Sequence, residues 1–417
     1  MRILIATCHQ SIVGGIEKYL QALIPALVKR GHAVAMLYEH VAPAGADAVD
    51  PRGAALPIWH WRDESGASSV RQDVARWRPD VIYLNSVGSL DMEDFALAGC
   101  PAVLYAHAYH GTCTTGRKCH SFPNVQPCLR EFSPMCLALH YPRRCGGLNP
   151  KLAWKMFQAQ SRHNACLTRY HSVLVASAHM RGEFERNGVS PEKLHLVPLP
   201  ITDIRPENVD RSLRPPAHSI LFAGRIMDVK GLDYLIQAIP PAARALGRPL
   251  TLTVAGDGPE RARLERLAAT TGVQARFAGW LESEPKMEAM RQADLLAVPS
   301  LWPEPFGLVG IEAGCFALPA VGYAVGGIPD WLIGGRTGEI APGDPPTVQG
   351  LAEAIISALG DADHYARLCR GAWESSLTFT LQRHLAMLEP ILQAACSSSH
   401  DQPAFPMAEG LDHVALS

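Results

Sequence analysis

The 417-residue chain has no apolar run approaching the roughly 18 residues of a membrane-spanning helix, which excludes an integral helical membrane protein. It also lacks an excess of either charge. Its 38 Lys and Arg against 40 Asp and Glu leave a formal net charge of -2, with no basic footprint for nucleic acid. The Gly14-Gly15 pair after the first apolar run does not extend to Gly-x-Gly-x-x-Gly, so a dinucleotide fingerprint is absent. No Cys-x-x-Cys occurs among the 11 cysteines, so a standard zinc ribbon is not indicated. Asp361-Ala362-Asp363 is the single Asp-x-Asp, and it precedes a surface-type helix instead of following an apolar strand. It does not support a divalent-metal site for a diphosphate. The opening Met1–Thr7 carries no signal-peptide h-region. The expected location is the cytoplasm, with peripheral contact at the inner face of a membrane as the open alternative.

What is present is a soluble, two-domain composition, 47% apolar and 19% charged, in a strict alternation of strand-like and helix-like stretches. Ile3–Thr7, Ala33–Tyr38, Val81–Leu84, Ala102–Ala106 and Val173–Ser177 read as buried strands. Ile16, Tyr19, Leu20, Leu23, Ile24 and Leu27 recur at helical spacing, with Pro25 predicting a kink. Pro-rich segments at Leu196–Pro200 and Arg214-Pro215-Pro216 read as the linker. A second series follows at Ser219–Ala223, Leu250–Ala255, Ala275–Ala278, Leu295–Pro299 and Ala320–Tyr323. The pattern predicts an α/β protein with two Rossmann-like domains, 1–205 and 206–396, and a poorly ordered tail at 397–417.

The most informative chemistry lies in Glu304-Pro305-Phe306-Gly307-Leu308-Val309-Gly310-Ile311-Glu312. Pro303 and Pro305 bar a helix before Phe306, and Gly307 onward reads as helix, so one carboxylate stands at a helix entrance and the other about two turns inside. The free N–H groups of Phe306, Gly307 and Leu308 suit a phosphate, and the flanking carboxylates suit hydroxyls on either side of it. Upstream, Gly224-Arg225-Ile226-Met227-Asp228-Val229-Lys230-Gly231 leaves a strand end with two cations placed to converge on one anion.

With Pro299-Ser300 before it and Gly326-Gly327-Ile328-Pro329-Asp330 after it, this stretch resembles the Glu-x7-Glu motif of the retaining glycosyltransferases of family 4, which have the GT-B fold. The resemblance implies two Rossmann-like domains facing across a cleft, and transfer of a sugar from a nucleotide diphosphate donor to a hydroxyl in glycan, polysaccharide or glycolipid assembly. It implies that Glu304 holds donor-sugar hydroxyls, Glu312 the ribose diol, and Arg225 and Lys230 the diphosphate, with no catalytic metal or other cofactor. Gly15 matches the family loop that reaches toward phosphate and acceptor. Trp280 and Leu281 fall where family members contact the nucleobase, although Trp280 as a core residue stays open. His107 matches the histidine facing the donor sugar, where it would align the sugar or support developing positive charge, with His110 the alternative if the loop is shifted. Ala255-Gly256-Asp257-Gly258-Pro259 reads as a structural turn in which Asp257 caps the next helix.

Residues 108–149 hold Cys113, Cys119, Cys128, Cys136 and Cys145 with His110, His120 and His140. A loop this long inside a domain is usually functional. Reduced thiols are the preferred reading, with a structural zinc or disulfides as alternatives. A helix predicted at Lys151–Tyr170 carries Lys151, Lys155, Arg162 and Arg169 with Trp154 and Phe157, and reads as a packed helix or a membrane-surface element. Two rival functions remain: a sugar-nucleotide epimerase or phosphorylase on the same scaffold, for which Asp91, Glu93 and Asp94 are the first-domain carboxylates near strand ends, and a non-catalytic nucleotide-sugar-binding protein.

Overall fold

The computed structural model describes residues 1–12, 14–41, 49, 56–61, 67–207, 211 and 219–397; the expected linker at Arg214-Pro215-Pro216 and the tail beyond Ser397 lie outside them. The first half contains β1 (Arg2–His9), β2 (Ala33–His40), β3 (Ile58–His60), β4 (Val81–Asn85), β5 (Ala102–Ala106), β6 (Cys119–His120), β7 (Gln126–Pro127), β8 (Ser172–Val175) and β9 (Leu194–Leu196). Seven of these form a parallel sheet in the order β3-β2-β1-β4-β5-β8-β9. The second half contains β10 (Ser219–Ala223), β11 (Thr251–Ala255), β12 (Gln274–Gly279), β13 (Leu295–Val298), β14 (Ala320–Tyr323) and β15 (Gly338–Ala341), parallel in the order β12-β11-β10-β13-β14-β15. The central strands β4, β5, β8, β13 and β14 are buried at every residue. Helices on both faces remove the polar alternation of a half-exposed strand, so these strands read as continuous apolar runs.

Five short strands were not expected, among them the antiparallel pair β6–β7 inside the cysteine-rich segment. β3, β9 and β15 extend the sheet edges, and β9 ends at Leu196, the first residue of the segment read as linker. The helix Gly15–Lys29 runs on through Pro25. Among the described residues no helix is long and apolar enough to cross a membrane.

The chain crosses between the halves twice, and the crossings lie together: Ile201 N donates to Phe379 O at 2.8 Å, and Ile201 bridges Thr380. The last helix, Leu381–Ser397, then packs against the first half. Its His384 Nε2 meets the Tyr19 hydroxyl at 2.7 Å, and its Glu389 takes Arg30 at 2.5 Å and His32 at 3.1 Å. Further contacts set the carboxyl ends of the two sheets face to face. Ala178 N donates to Asp330 Oδ1 at 2.8 Å, and the Tyr109 hydroxyl donates to Pro303 O at 2.8 Å.

Within the second half, the loop after β10 is pressed onto the loop after β13. Leu301 N donates to Val229 O at 2.9 Å, and a Cβ on Gly231 would lie 1.9 Å from Pro299 O. Gly231 and Gly247 share a left-handed backbone, φ 66° and 65°, but Gly247 has open space around it. Gly247→Ala should therefore cost about 1 kcal/mol of conformational strain. Gly231→Ala should cost at least about 3 kcal/mol, because a backbone oxygen must move as well. Denaturant midpoints of the two variants check this, and equal losses would contradict the close approach.

Candidate active site

The loop after β10 is shaped by the turn after β11. Gly224 N donates to Ala255 O at 3.0 Å and Ile226 N to Asp257 O at 2.9 Å. The turn comes this close because Gly256 and Gly258 lack side chains: a Cβ on either would lie 1.9 Å from Gly224 O and 2.2 Å from Ile226 O, respectively. Asp257 does not cap the following helix as expected. That helix starts at Arg261 with Glu260 as its cap, because the turn must first pass over Ile226, and the Asp257 carboxylate accepts instead from Gly258 N and Arg261 at 2.7 and 3.2 Å. Arg225 projects from the loop, exposed and without a hydrogen bond or ion pair among the described residues. Lys230 closes a short 3-10 turn, Asp228–Lys230, and faces Glu304.

Lys230 Nζ and Ser300 Oγ both donate to Glu304 Oε1 at 2.6 Å, and the ammonium lies 5.3 Å from the centre of the Trp302 ring. Glu304 is only 7% exposed, and its Oε2 carries no hydrogen bond among the described residues. The Gly326-Gly327 turn backs the carboxylate. A Cβ on Gly326 would lie 2.4 Å from Glu304 N, and Gly327 N donates to Glu304 O at 2.7 Å. The side chain of Phe306 packs into the core against Phe379, so Phe306 presents only backbone toward the cleft. Gly307, at φ 89°, is the cap of the helix Leu308–Gly314, which begins one residue later than read from sequence. The N–H groups of Phe306, Gly307 and Leu308 find no acceptor among the described residues, the condition in which a helix entrance attracts an anion.

Glu312, one turn into this helix, pairs with Lys286 Nζ at 2.6 Å. Lys286 was not singled out in the sequence. It sits on the helix Ser283–Gln292 with nothing local to mark it, and only the packing of that helix beside Leu308–Gly314 reveals it. Trp280 is 55% exposed and donates Nε1 to Glu282 at 2.8 Å, so it is a surface ring and not a core residue. Leu281 is half-buried against the core.

From the first half, a Cβ on Gly15 would lie 3.7 Å from Leu308 Cδ1, which lays the Gly14-Gly15 loop over the helix entrance. His107 Nε2 meets Asn85 Oδ1 at 3.0 Å, while Asn85 Nδ2 donates to Tyr83 O. That orientation of the amide leaves Oδ1 as acceptor, so His107 carries its proton on Nε2 and a lone pair on Nδ1. Burial, with a smaller push from His384, pulls the His107 pKa to about 3, so the ring is neutral and its lone pair is what it offers. The structure thus joins Lys230 to Glu304 and Gly15 to Leu308, while Arg225 and Trp280 touch none of the other candidates.

His384, 1% exposed, is pulled to about 4 by burial. The unfolded chain binds a proton below about 6.5, so the neutral folded ring contributes stability that is complete above that pH and is lost as pH falls toward 4. His384→Gln should therefore flatten the acid side of the stability profile by about 1.4 kcal/mol per pH unit in that window. Denaturation at a series of pH values tests this; parallel profiles for variant and parent would contradict it.

Comparison with known proteins places this geometry. The Glycosyltransferase Family 4 profile matches residues 13–203, and the Glycosyl transferases group 1 profile matches residues 206–373. Glycogen synthase of Mycobacterium tuberculosis (strain ATCC 25618 / H37Rv) is 27% identical over 443 residues, covering 98% of this chain and 99% of the relative. D-inositol 3-phosphate glycosyltransferase of Corynebacterium glutamicum (strain R) is 30% identical over 211 residues, 48% of this chain and 50% of the relative. In structure, Anabaena Alr3699/HepE in complex with UDP and glucose is similar at a TM-score of 0.65 and 19% identity, covering 95% of this chain and 100% of that one. Sucrose-phosphate synthase from Thermosynechococcus elongatus gives 0.67 and 19%, covering 96% and 100%. With two facing Rossmann-like sheets and both halves matched in order, the chain belongs to the glycosyl transferases group 1 family, nucleotide-sugar-dependent glycosyltransferases of the GT-B fold.

Proposed function

We propose that this enzyme transfers a hexose from a nucleoside diphosphate donor, with retention of anomeric configuration, using the residues gathered at the cleft. The observation that carries the reading is the Lys230–Glu304 contact at 2.6 Å beside the unpaired N–H groups of Phe306, Gly307 and Leu308. It puts a cation, a carboxylate with one free oxygen and an anion-binding helix entrance within one site. The diphosphate lies over the helix entrance beneath Gly15, with Arg225 and Lys230 balancing its charge. Glu304 Oε2 accepts from a sugar hydroxyl, and Glu312 Oε1 accepts from the ribose. The exposed Trp280 ring offers a face to the base. UDP is the first nucleotide to try, because it occupies Alr3699/HepE.

The chemistry follows from charge. As the bond from the anomeric carbon to the diphosphate oxygen breaks, negative charge grows on the phosphate and positive charge on the sugar. Arg225, Lys230 and the helix entrance stabilise the first, and the neutral His107 lone pair supports the second. The acceptor hydroxyl attacks from the face being vacated and gives its proton to the departing phosphate oxygen, so configuration is kept. Closure of the halves excludes water from this step.

Activity on UDP-glucose and calorimetry with UDP test the assignment. Arg225→Ala should cost about 2 to 4 kcal/mol of transition-state stabilisation. Glu312→Ala should weaken UDP itself, whereas Glu304→Ala should spare UDP and lower turnover. Arg225→Ala within twofold of the parent, or equal losses of UDP affinity in the two glutamate variants, would sink this division of roles.

The acceptor is proposed to be lipid-linked and reached at an anionic membrane surface. Leu148, Leu152 and Trp154 are exposed beside Lys151 and Lys155 at the start of the helix Pro150–Cys166, whose buried residues are Ala153, His163 and Cys166. Apolar tips among lysines suit a headgroup layer. The protein should sediment with phosphatidylglycerol vesicles more than with phosphatidylcholine vesicles, and Lys151→Glu with Lys155→Glu should reduce this several-fold. Sedimentation indifferent to vesicle charge, or none, would rule the surface out.

A further inference from the structure

Away from the donor residues, three chemistry-bearing side chains from separate elements converge below the cysteine-rich segment. Glu93 is in the first turn of the helix Leu90–Gly99, His110 follows β5, and His163 is in the last turn of Pro150–Cys166. One ligand atom from each lies within 4.8 Å of the other two. His163 Nδ1 is 2.6 Å from Glu93 Oε2, the Tyr170 hydroxyl donates to Glu93 Oε1 at 2.5 Å, and the His110 and His163 rings are 3.7 Å apart. Glu93 and His163 are 1% and 3% exposed.

This carboxylate is poorly balanced as it stands. Arg162 and Arg169, the nearby cations of the same region, pair with Asp94 instead, at 3.5 and 3.0 Å. Among the described residues no lysine or arginine contacts Glu93, and a buried carboxylate without a full countercharge is costly. His110 makes no hydrogen bond among the described residues and lies against a second imidazole, its plane tilted by 49°. Two imidazoles and one carboxylate, with a tyrosine steadying the far carboxylate oxygen, form a ligand set for a divalent transition ion. The cysteines of 113–145 do not offer this. No three ligand atoms of His, Cys, Asp or Glu drawn from that segment alone gather within 4.8 Å among the described residues.

We propose that Glu93, His110 and His163 bind one zinc or similar first-row divalent ion. The remaining coordination position would face the cavity lined by Ser86, Leu104, His107 and Ala108. The ion would neutralise Glu93 and fasten the root of the cysteine-rich segment to two helices, next to His107 but apart from the diphosphate site. Its role is thus structural support for the acceptor side, independent of the donor-site proposal.

The test is metal binding by the full chain, stripped and then dialysed against zinc. The expected result is one zinc per chain, held in a nitrogen and oxygen shell at about 2.0–2.1 Å by X-ray absorption. His110→Gln and His163→Gln should each weaken binding by at least about tenfold, while Cys119→Ser with Cys145→Ser leaves it unchanged. Should His163→Gln fail to fold, His110→Gln and the absorption spectrum of the parent still decide. No bound zinc, a sulfur shell at about 2.3 Å, or undiminished binding by His110→Gln would overturn the site. Because zinc itself is the readout, failure here and failure of the UDP experiments are distinguishable.

Discussion

Lys230 meets Glu304 because the backbone before Gly231 can lie directly against the carbonyl of Pro299. The strands that lead to these residues, β10 and β13, are neighbours in the sheet, so the loops leaving them start side by side. Side-by-side origins do not by themselves bring an ammonium onto a carboxylate. The left-handed Gly231 and the hydrogen bonds from Leu301 and Trp302 to Val229 O remove the remaining freedom. Ser300 and the Gly326-Gly327 turn then hold the carboxylate from the other side. Both partners are therefore oriented by contacts within the second half itself.

The same logic governs how the two halves meet. Their contacts across the cleft include directional hydrogen bonds, such as Tyr109 to Pro303 O and Ala178 N to Asp330, together with close approaches of Gly15 to Leu308, Gly327 to Ser177 and Trp302 to Tyr109. The covalent crossings, by contrast, are tied to one another at Ile201 and Phe379, and the last helix is anchored on the first half by buried Tyr19 and His384.

The cysteine-rich segment touches both sides of this mouth. Its Lys118 is buried in an ion pair with Glu183 at 2.8 Å, and the neighbouring Arg117 reaches Asp228, in the loop that carries Lys230, at 3.0 Å. All five of its cysteines are free thiols in the structure, so cross-links are not what fixes its path. The buried Lys118–Glu183 ion pair, the short β6–β7 ribbon and the hydrogen bond of His140 to Gly147 O do that work. The segment therefore contacts the first half and, in the second, the loop that carries Lys230.

The fold was legible in the sequence, and the candidate donor residues stood out there, because both are written locally. Buried parallel strands are unbroken apolar runs, and Pro305, Gly307, Glu304 and Glu312 encode a helix entrance within nine residues. Arg225 and Lys230 stand out for the same reason, flanking one loop at one strand end. What the sequence could not carry was any pairing between distant elements: Lys286 on Glu312, His384 on Tyr19, the exposure of Trp280, and the meeting of Glu93, His110 and His163 from three elements. Asp257 was misread as a cap for a related reason, since the helix start is delayed by the turn passing over Ile226, a residue distant in sequence that nothing local announces. Chain chemistry fixes which residues can bend, cap or carry charge; which of them share a site depends on the packing of whole elements, whose energies are summed over many contacts and leave no mark on any single stretch.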